Sequence, residues 1–138
     1  MAKEYRLTIP AIIEKVEEAC DFVSDVARSI GMDDEAVHRC YLSVEEICIN
    51  IIEHGYRNGG DEDVIDVKCW HQNNRLVITI LDDADPFNPL DRPDPDPSAP
   101  LMERGRGGWG IYFVKKYMDQ IDYRYARNRN QLTIEKHL

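Results

Sequence analysis

The chain is expected to fold as an α+β sandwich, one domain over residues 1–138, with hairpin-paired strands and helices segregated to one face. Three observations predict this. Two long apolar patterns of helical period follow one another directly, and two pairs of strand-like apolar segments each enclose a short polar turn. The resulting order is β-α-α-β-β-loop-α-β-β, without internal repeats. A length of 138 residues suffices for one hydrophobic core and is short for two.

The elements follow in turn. Tyr5-Arg6-Leu7-Thr8-Ile9 alternates and stops at Pro10, a first strand. From Ile12 to Ile30 the apolar set Ile12, Val16, Ala19, Cys20, Phe22, Val23, Val26, Ala27 and Ile30 keeps the helical period until Gly31 ends it. Asp33 or Asp34 can cap a second helix running through Val37, Cys40, Tyr41, Val44, Ile47, Cys48 and Ile51 to Gly55. Val64 to Trp70 and Arg75 to Leu81 read as strands joined near Asn73-Asn74. Residues 82 to 107 break the pattern and hold six of the seven prolines; a loop this long in a small domain points to a functional lid or to disorder. Trp109 to Met118 is a short amphipathic helix. Ile121 to Ala126 and Gln131 to Lys136 are two last strands around a turn at Asn128-Arg129-Asn130.

Composition narrows the function. A net charge of −9 argues against a nucleic-acid binder, which needs a basic patch, and against adhesion to anionic membranes. No apolar run reaches the length of a membrane span and the N-terminus lacks a signal-peptide core, so a soluble cytoplasmic protein is expected. Cys20, Cys40, Cys48 and Cys69 form no CxxC pair and match no common zinc spacing; they read as reduced thiols packed as small core residues.

Three segments carry candidate chemistry. In the first, Glu46, Asn50 and His54 stand four residues apart in an otherwise apolar stretch. A helix turns about 100° per residue, so they form one stripe. An amide between Ile49 and Ile51 is costly to bury without a partner, and a hydrated cation carrying an anionic ligand is the candidate. Mg²⁺ prefers oxygen ligands and is usually held by one or two protein groups plus substrate phosphates, a role open to Asn50. A carboxylate one turn away could hold a metal-bound water or take a proton from a nucleophile. A solvated polar stripe is the structural alternative.

The second segment is Leu81 to Pro89, where an apolar strand ends in Asp82 at the mouth of the core. That carboxylate could accept a hydrogen bond from an exocyclic amine, and an ordinary Asp-Asp turn before Pro86 is the alternative. The third is Gly105-Arg106-Gly107-Gly108-Trp109-Gly110-Ile111 opening a helix, with Arg104 just before it. Glycines let a backbone approach a ligand and a helix N-terminus offers free N–H groups to phosphate; a flexible hinge is the alternative. Neither a Walker A loop nor a Rossmann fingerprint fits.

Together, in this order, the segments resemble the N, G1 and G2 boxes of the GHKL (Bergerat-fold) ATPase superfamily, and within it the RsbW-type anti-sigma-factor serine kinases. Glu46-x-x-x-Asn50-x-x-x-His54-Gly55-Tyr56, Asp82 through Pro89, and Gly105 to Ile111 with the helix after it carry the resemblance. It implies a two-layer sandwich with a mixed, mostly antiparallel sheet covered by helices on one face. It also implies ATP and Mg²⁺ in a pocket between the layers. Asn50 would ligate Mg²⁺, Glu46 would be the general base for a partner's serine, and Asp82 would read the adenine amine. Arg104, Gly105, Arg106, Gly107, Gly108, Trp109 and Gly110 would close over the phosphates, with Ile111 after them. Thr133 would lie near the adenine. Ala84, Phe87 and His54 would line the site. Ala84 stands where the G1 box has glycine, at a cost of about 1 kcal/mol if that backbone needs φ > 0, and Asn88 replaces an aspartate.

The implied function is that of an anti-sigma factor that also phosphorylates a serine on an anti-anti-sigma (STAS) protein. Its partners would then be a sigma factor and that antagonist, with homodimerisation common among such proteins. The alternative is a non-catalytic ATP-binding partner switch that sequesters its partner without phosphoryl transfer.

Overall fold

The computed structural model describes residues 3–59, 62–91, 96, 98 and 109–138, with Trp109 described by its backbone alone. Among these, five strands form one sheet: β1 (Glu4–Pro10), β2 (Val64–Gln72), β3 (Arg75–Asp82), β4 (Gln120–Ala126) and β5 (Arg129–His137). The sheet order is β1-β2-β3-β5-β4 and every described pairing is antiparallel. The expected mixed, mostly antiparallel sheet is thus wholly antiparallel in the described residues, because each neighbouring pair other than β1/β2 and β3/β5 is closed by a two-residue hairpin.

Those hairpins are set by backbone chemistry. Asn73 and Asn74 both adopt positive φ, 50° and 63°, and Arg127 and Asn128 do the same at 54° and 62°. Two consecutive positive φ angles make the turn whose twist matches the strands it joins. The second turn is therefore Arg127-Asn128, earlier than the sequence placed it, and Arg129 and Asn130 belong to β5.

Among the described residues three α-helices pack on one face of the sheet: α1 (Val16–Ser29), α2 (Asp34–Asn50) and α3 (Trp109–Tyr117). A 3₁₀ turn at Ile13–Lys15 leads into α1. Gly31 ends α1 at φ +90°, and Met32 N–H bonds back to the Ala27 carbonyl at 3.1 Å, the closing contact of a glycine C-cap. The capping residue of α2 is Asp33, whose side chain accepts from Ala36 N–H at 2.8 Å.

The core joins Val23 of α1, Val44 and Ile47 of α2 and Val114 of α3 to Ile65, Ile78, Ile80 and Ile134 of the strands. All four cysteines are buried and free. Burial pushes the thiols of Cys20, Cys40 and Cys69 up to about 12, and that of Cys48 well up too. Among the described residues no helix is long and apolar enough to cross a membrane.

Candidate functional site

The site lies where the C-terminal end of β3 meets α2. β3 is buried along nearly its whole length, which carries its last residue, Asp82, to 4% exposure. A carboxylate so placed must be hydrogen-bonded. Its Oδ1 accepts from Ala84 N–H at 3.0 Å and from the Asn130 side-chain amide at 2.9 Å. Asn130 faces Asp82 across the β3/β5 ladder. Its Nδ2 also reaches the Ala84 and Asp85 carbonyls, each at 3.1 Å, and its Oδ1 accepts from Phe87 N–H at 3.0 Å and from the Tyr123 hydroxyl. One buried amide thereby ties together two strands and the loop that follows β3. Burial raises the Asp82 carboxyl above the usual range, while the bonds from Asn130 and Ala84 oppose that rise.

Behind this wall Arg129 bonds Asp83 at 2.8 Å and Asp66 at 2.7 Å. Asp66 also accepts from Thr8. Burial works against it, yet the Thr8 and Arg129 bonds hold its carboxyl below the ordinary range. Tyr56 closes the edge, its hydroxyl donating to the Val64 carbonyl at 2.7 Å and accepting from Asp83 N–H at 2.8 Å.

The helix wall differs. Asn50 is the last residue of α2 and its Nδ2 donates to the Glu46 carbonyl at 2.9 Å. That fixes the amide nitrogen on the helix and leaves the side-chain oxygen for a ligand. From Ile51 to Gly55 the chain continues as a π turn, closed by Tyr56 N–H on the Ile51 carbonyl at 2.8 Å. Each residue of such a turn advances by a smaller angle than in an α-helix, and such insertions are frequent at functional sites. The stripe is therefore broken: His54 does not continue the line of Glu46 and Asn50. It is exposed and stacks on Phe87 at 6.2 Å between ring centroids, outside the cavity it was expected to line.

Asn50, Asp82, Phe87 and Ile111 line one mostly apolar cavity with Ile47, Ile51, Tyr123, Asn130 and Leu132. Its free volume is about 20 Å³, room for a water rather than a purine, so a base would enter only as these walls part. Glu46 opens onto a neighbouring groove of about 130 Å³ with Leu42, Glu45, Gly110, Phe113, Val114 and Tyr117. Burial, then the nearby Glu45 and Glu53 carboxylates, raise the Glu46 carboxyl. Gly110 lies directly against it: a Cβ there would sit 1.9 Å from Glu46 Oε2.

Two further expectations are corrected. Thr133 is on the sheet face opposite the cavity and its hydroxyl meets that of Thr79 at 3.0 Å; strand alternation puts Asn130, Leu132 and Ile134 on the helix side and Thr133 away from it. Ala84 does not have positive φ, so the feared backbone cost does not arise. Its methyl is buried against Gly55, where a Cβ on that glycine would lie 3.4 Å away, and it is not part of the cavity lining. Arg104, Gly105, Arg106, Gly107 and Gly108 lie outside the described residues, and of Trp109 only its place at the start of α3 is known. Sequence reasoning missed Asn130, Tyr123 and Arg129, and it placed Tyr56 in a motif without giving it a role. For Asn130 the signal was present, since a turn at Arg127-Asn128 puts it in phase with Leu132 and Ile134.

The chain matches, over residues 9–136, the family described as the histidine kinase-like ATPase domain. It belongs to that family. This histidine kinase-like ATPase domain is also similar to the serine-protein kinase RsbW of Halalkalibacterium halodurans, 26% identical over 121 residues, covering 84% of this chain and 72% of the relative. It is similar to the serine-protein kinase RsbW of Bacillus subtilis (strain 168), 25% identical over 120 residues, covering 83% and 74%. Among solved structures it resembles the RsbU and RsbW domains of Rv1364c from Mycobacterium tuberculosis, with a TM-score of 0.64 and 14% identity over 99% of this chain. It spans 32% of that longer chain, and the likeness shows the shared fold.

Proposed function

We propose that this ATPase-family domain binds Mg-ATP, transfers its γ-phosphoryl group to a serine of an anti-anti-sigma (STAS) protein, and sequesters a sigma factor in the cytoplasm. The observation that carries this reading is the convergence of Asp82 and Asn50 on one cavity, with Glu46 one helical turn from Asn50 on the adjoining groove. The relatives named as serine-protein kinases support it.

The residues fit the roles. Asp82 accepts the adenine amine through Oδ2, which takes no hydrogen bond among the described residues. The Asn50 oxygen would hold Mg²⁺, which with one protein ligand and the phosphates needs no carboxylate cluster; none of three or more metal-ligating groups occurs among the described residues. When bound, the cation neutralises charge on the phosphates. Glu46 takes the serine proton, the hydroxyl oxygen bonds to the γ-phosphorus, and the bond to the β-phosphate oxygen breaks to release ADP. A carboxyl raised by burial is a stronger base once ionised, and it becomes protonated at a higher pH than an ordinary glutamate, so transfer fails earlier on acidification.

The test is transfer of label from radioactive ATP to a STAS protein. Phosphoserine that vanishes in Glu46→Ala while ATP still binds supports the assignment. Tight partner binding by the wild type with no transfer sinks the kinase in favour of the non-catalytic switch. Asn50→Ala should remove Mg-dependent ATP binding, and unchanged affinity refutes its role as metal ligand.

A further inference from the structure

We propose that Asn130 is a positioning residue that makes the site select a 6-aminopurine over a 6-oxopurine. The inference rests on the reading of Asp82 as the group that meets the base. Asn130 is 5% exposed and lines the cavity beside Asp82. Its own groups are engaged: Nδ2 serves Asp82, Ala84 and Asp85, and Oδ1 serves Phe87 and Tyr123. It therefore offers a ligand little directly. Its effect passes through two things it holds, the Asp82 carboxylate and the loop from Ala84 to Phe87.

The geometry of Asp82 decides the selection. Two donors, Ala84 N–H and Asn130 Nδ2, converge on Oδ1, which leaves Oδ2 as a pure acceptor for the cavity. An exocyclic amine at C6 donates to such an oxygen, whereas a carbonyl at C6 meets it lone pair to lone pair. A site built around one hydrogen-bonding pattern rejects the reversed pattern because a buried polar group is left unpaired. Without Asn130 the buried carboxylate loses a donor, can turn, and can take up a proton and donate to a carbonyl. Discrimination should then collapse more than overall binding does. The same amide fixes the loop that places Phe87 in the cavity wall, so the pocket's shape and its polarity are set by one residue.

The experiment measures Kd of the full chain for ATP and for ITP, which carries a carbonyl at C6, together with thermal stability and the KM and kcat of transfer. The wild type should prefer ATP. In Asn130→Ala, ATP should bind about tenfold more weakly, the charge-assisted bond that orients Asp82 being lost, while ITP changes little. KM for ATP should rise with kcat nearly unchanged. If Asn130→Ala does not fold, Tyr123→Phe removes a hydroxyl that holds the same amide, and should narrow the ATP-to-ITP ratio to a smaller extent. Equal weakening of ATP and ITP would mean that Asn130 only props up the fold, and an intact ATP preference in the folded variants equally overturns the proposal. A wild type that binds both nucleotides alike, or neither, instead fails the reading of Asp82 itself, so the two failures are distinguishable.

Discussion

On the sheet side of the cavity, side-chain hydrogen bonds join Asp82, Asn130 and Tyr123 across β3, β5 and β4, while just behind them Arg129 ties Asp83 to Asp66 of β2 and the Tyr56 hydroxyl bonds the backbone of Asp83 and Val64. On the helix side, Glu46, Asn50 and His54 make one described side-chain hydrogen bond among them, from Asn50 to the helix's own backbone. The contrast follows from where each wall comes from. Strand ends are fixed by ladder register, so polar groups there meet partners on neighbouring strands. The end of α2 is a single element with a π turn, and its outward polar groups meet no neighbouring strand among the described residues. A wall completed by protein is preorganised for its ligand; a wall whose groups lack such partners acquires them from the ligand and the cation. In the proposed chemistry the first reads the base and the second acts on the phosphates.

The contrast predicts that changes on the helix side slow transfer, and that changes on the sheet side cost stability or base recognition while leaving the transfer step itself nearly intact. Of three substitutions that test it, Gly110→Ala has the largest expected effect. The new methyl would collide with Glu46 Oε2, the far end of a flexible side chain, so the carboxylate swings aside and the fold persists. Transfer should slow by about tenfold to hundredfold from misplacement of the base, with the denaturation midpoint unchanged or slightly higher, as alanine suits a helix better than glycine. A loss of stability alongside normal transfer would break the comparison.

Next comes Tyr56→Phe on the sheet side. It strips a donor from the Val64 carbonyl and an acceptor from Asp83 N–H, and should cost about 1–2 kcal/mol in urea unfolding. The smallest effect is expected from Asp66→Asn. The carboxylate and Arg129 are each 24% exposed, and screening limits their pair to about 1 kcal/mol or less at neutral pH. Because folding lowers the Asp66 carboxyl, its contribution is present above the ordinary carboxylate range and lost as pH falls through the lowered value. The gap between wild type and variant should therefore close in acid; a gap that widens there contradicts the assignment.

Particular residues show what the sequence made readable. Helical periods marked α1 and α2, Gly31 and Asp33 bounded them, and Asn73-Asn74 announced a hairpin, because each is a local consequence of backbone geometry. Asn50, Asp82, Phe87 and Ile111 could be named because boxes of fixed spacing bring them together, and they do share one cavity. The misses have a common origin in phase. A strand alternates with period two, so the face of Thr133 and of Asn130 depends on register, which a turn placed late in the sequence left unread. A stripe drawn at 100° per residue likewise fails once Ile51–Gly55 winds as a π turn, and His54 leaves the line. Nothing in Tyr56 or Arg129 alone says which distant backbone or carboxylate each will meet.

The four buried thiols have a practical consequence. Each sits at or near zero exposure, and burial keeps it protonated at neutral pH, so a thiol reagent meets neither an accessible sulfur nor a thiolate in the folded chain. Cys20 and Cys48 lie on α1 and α2, Cys40 on α2, and Cys69 on β2. Modification can proceed only when these layers separate, which turns the cysteines into a built-in clock: their labelling rate reports how often the helices lift from the sheet, and a ligand that clamps the walls together should slow it.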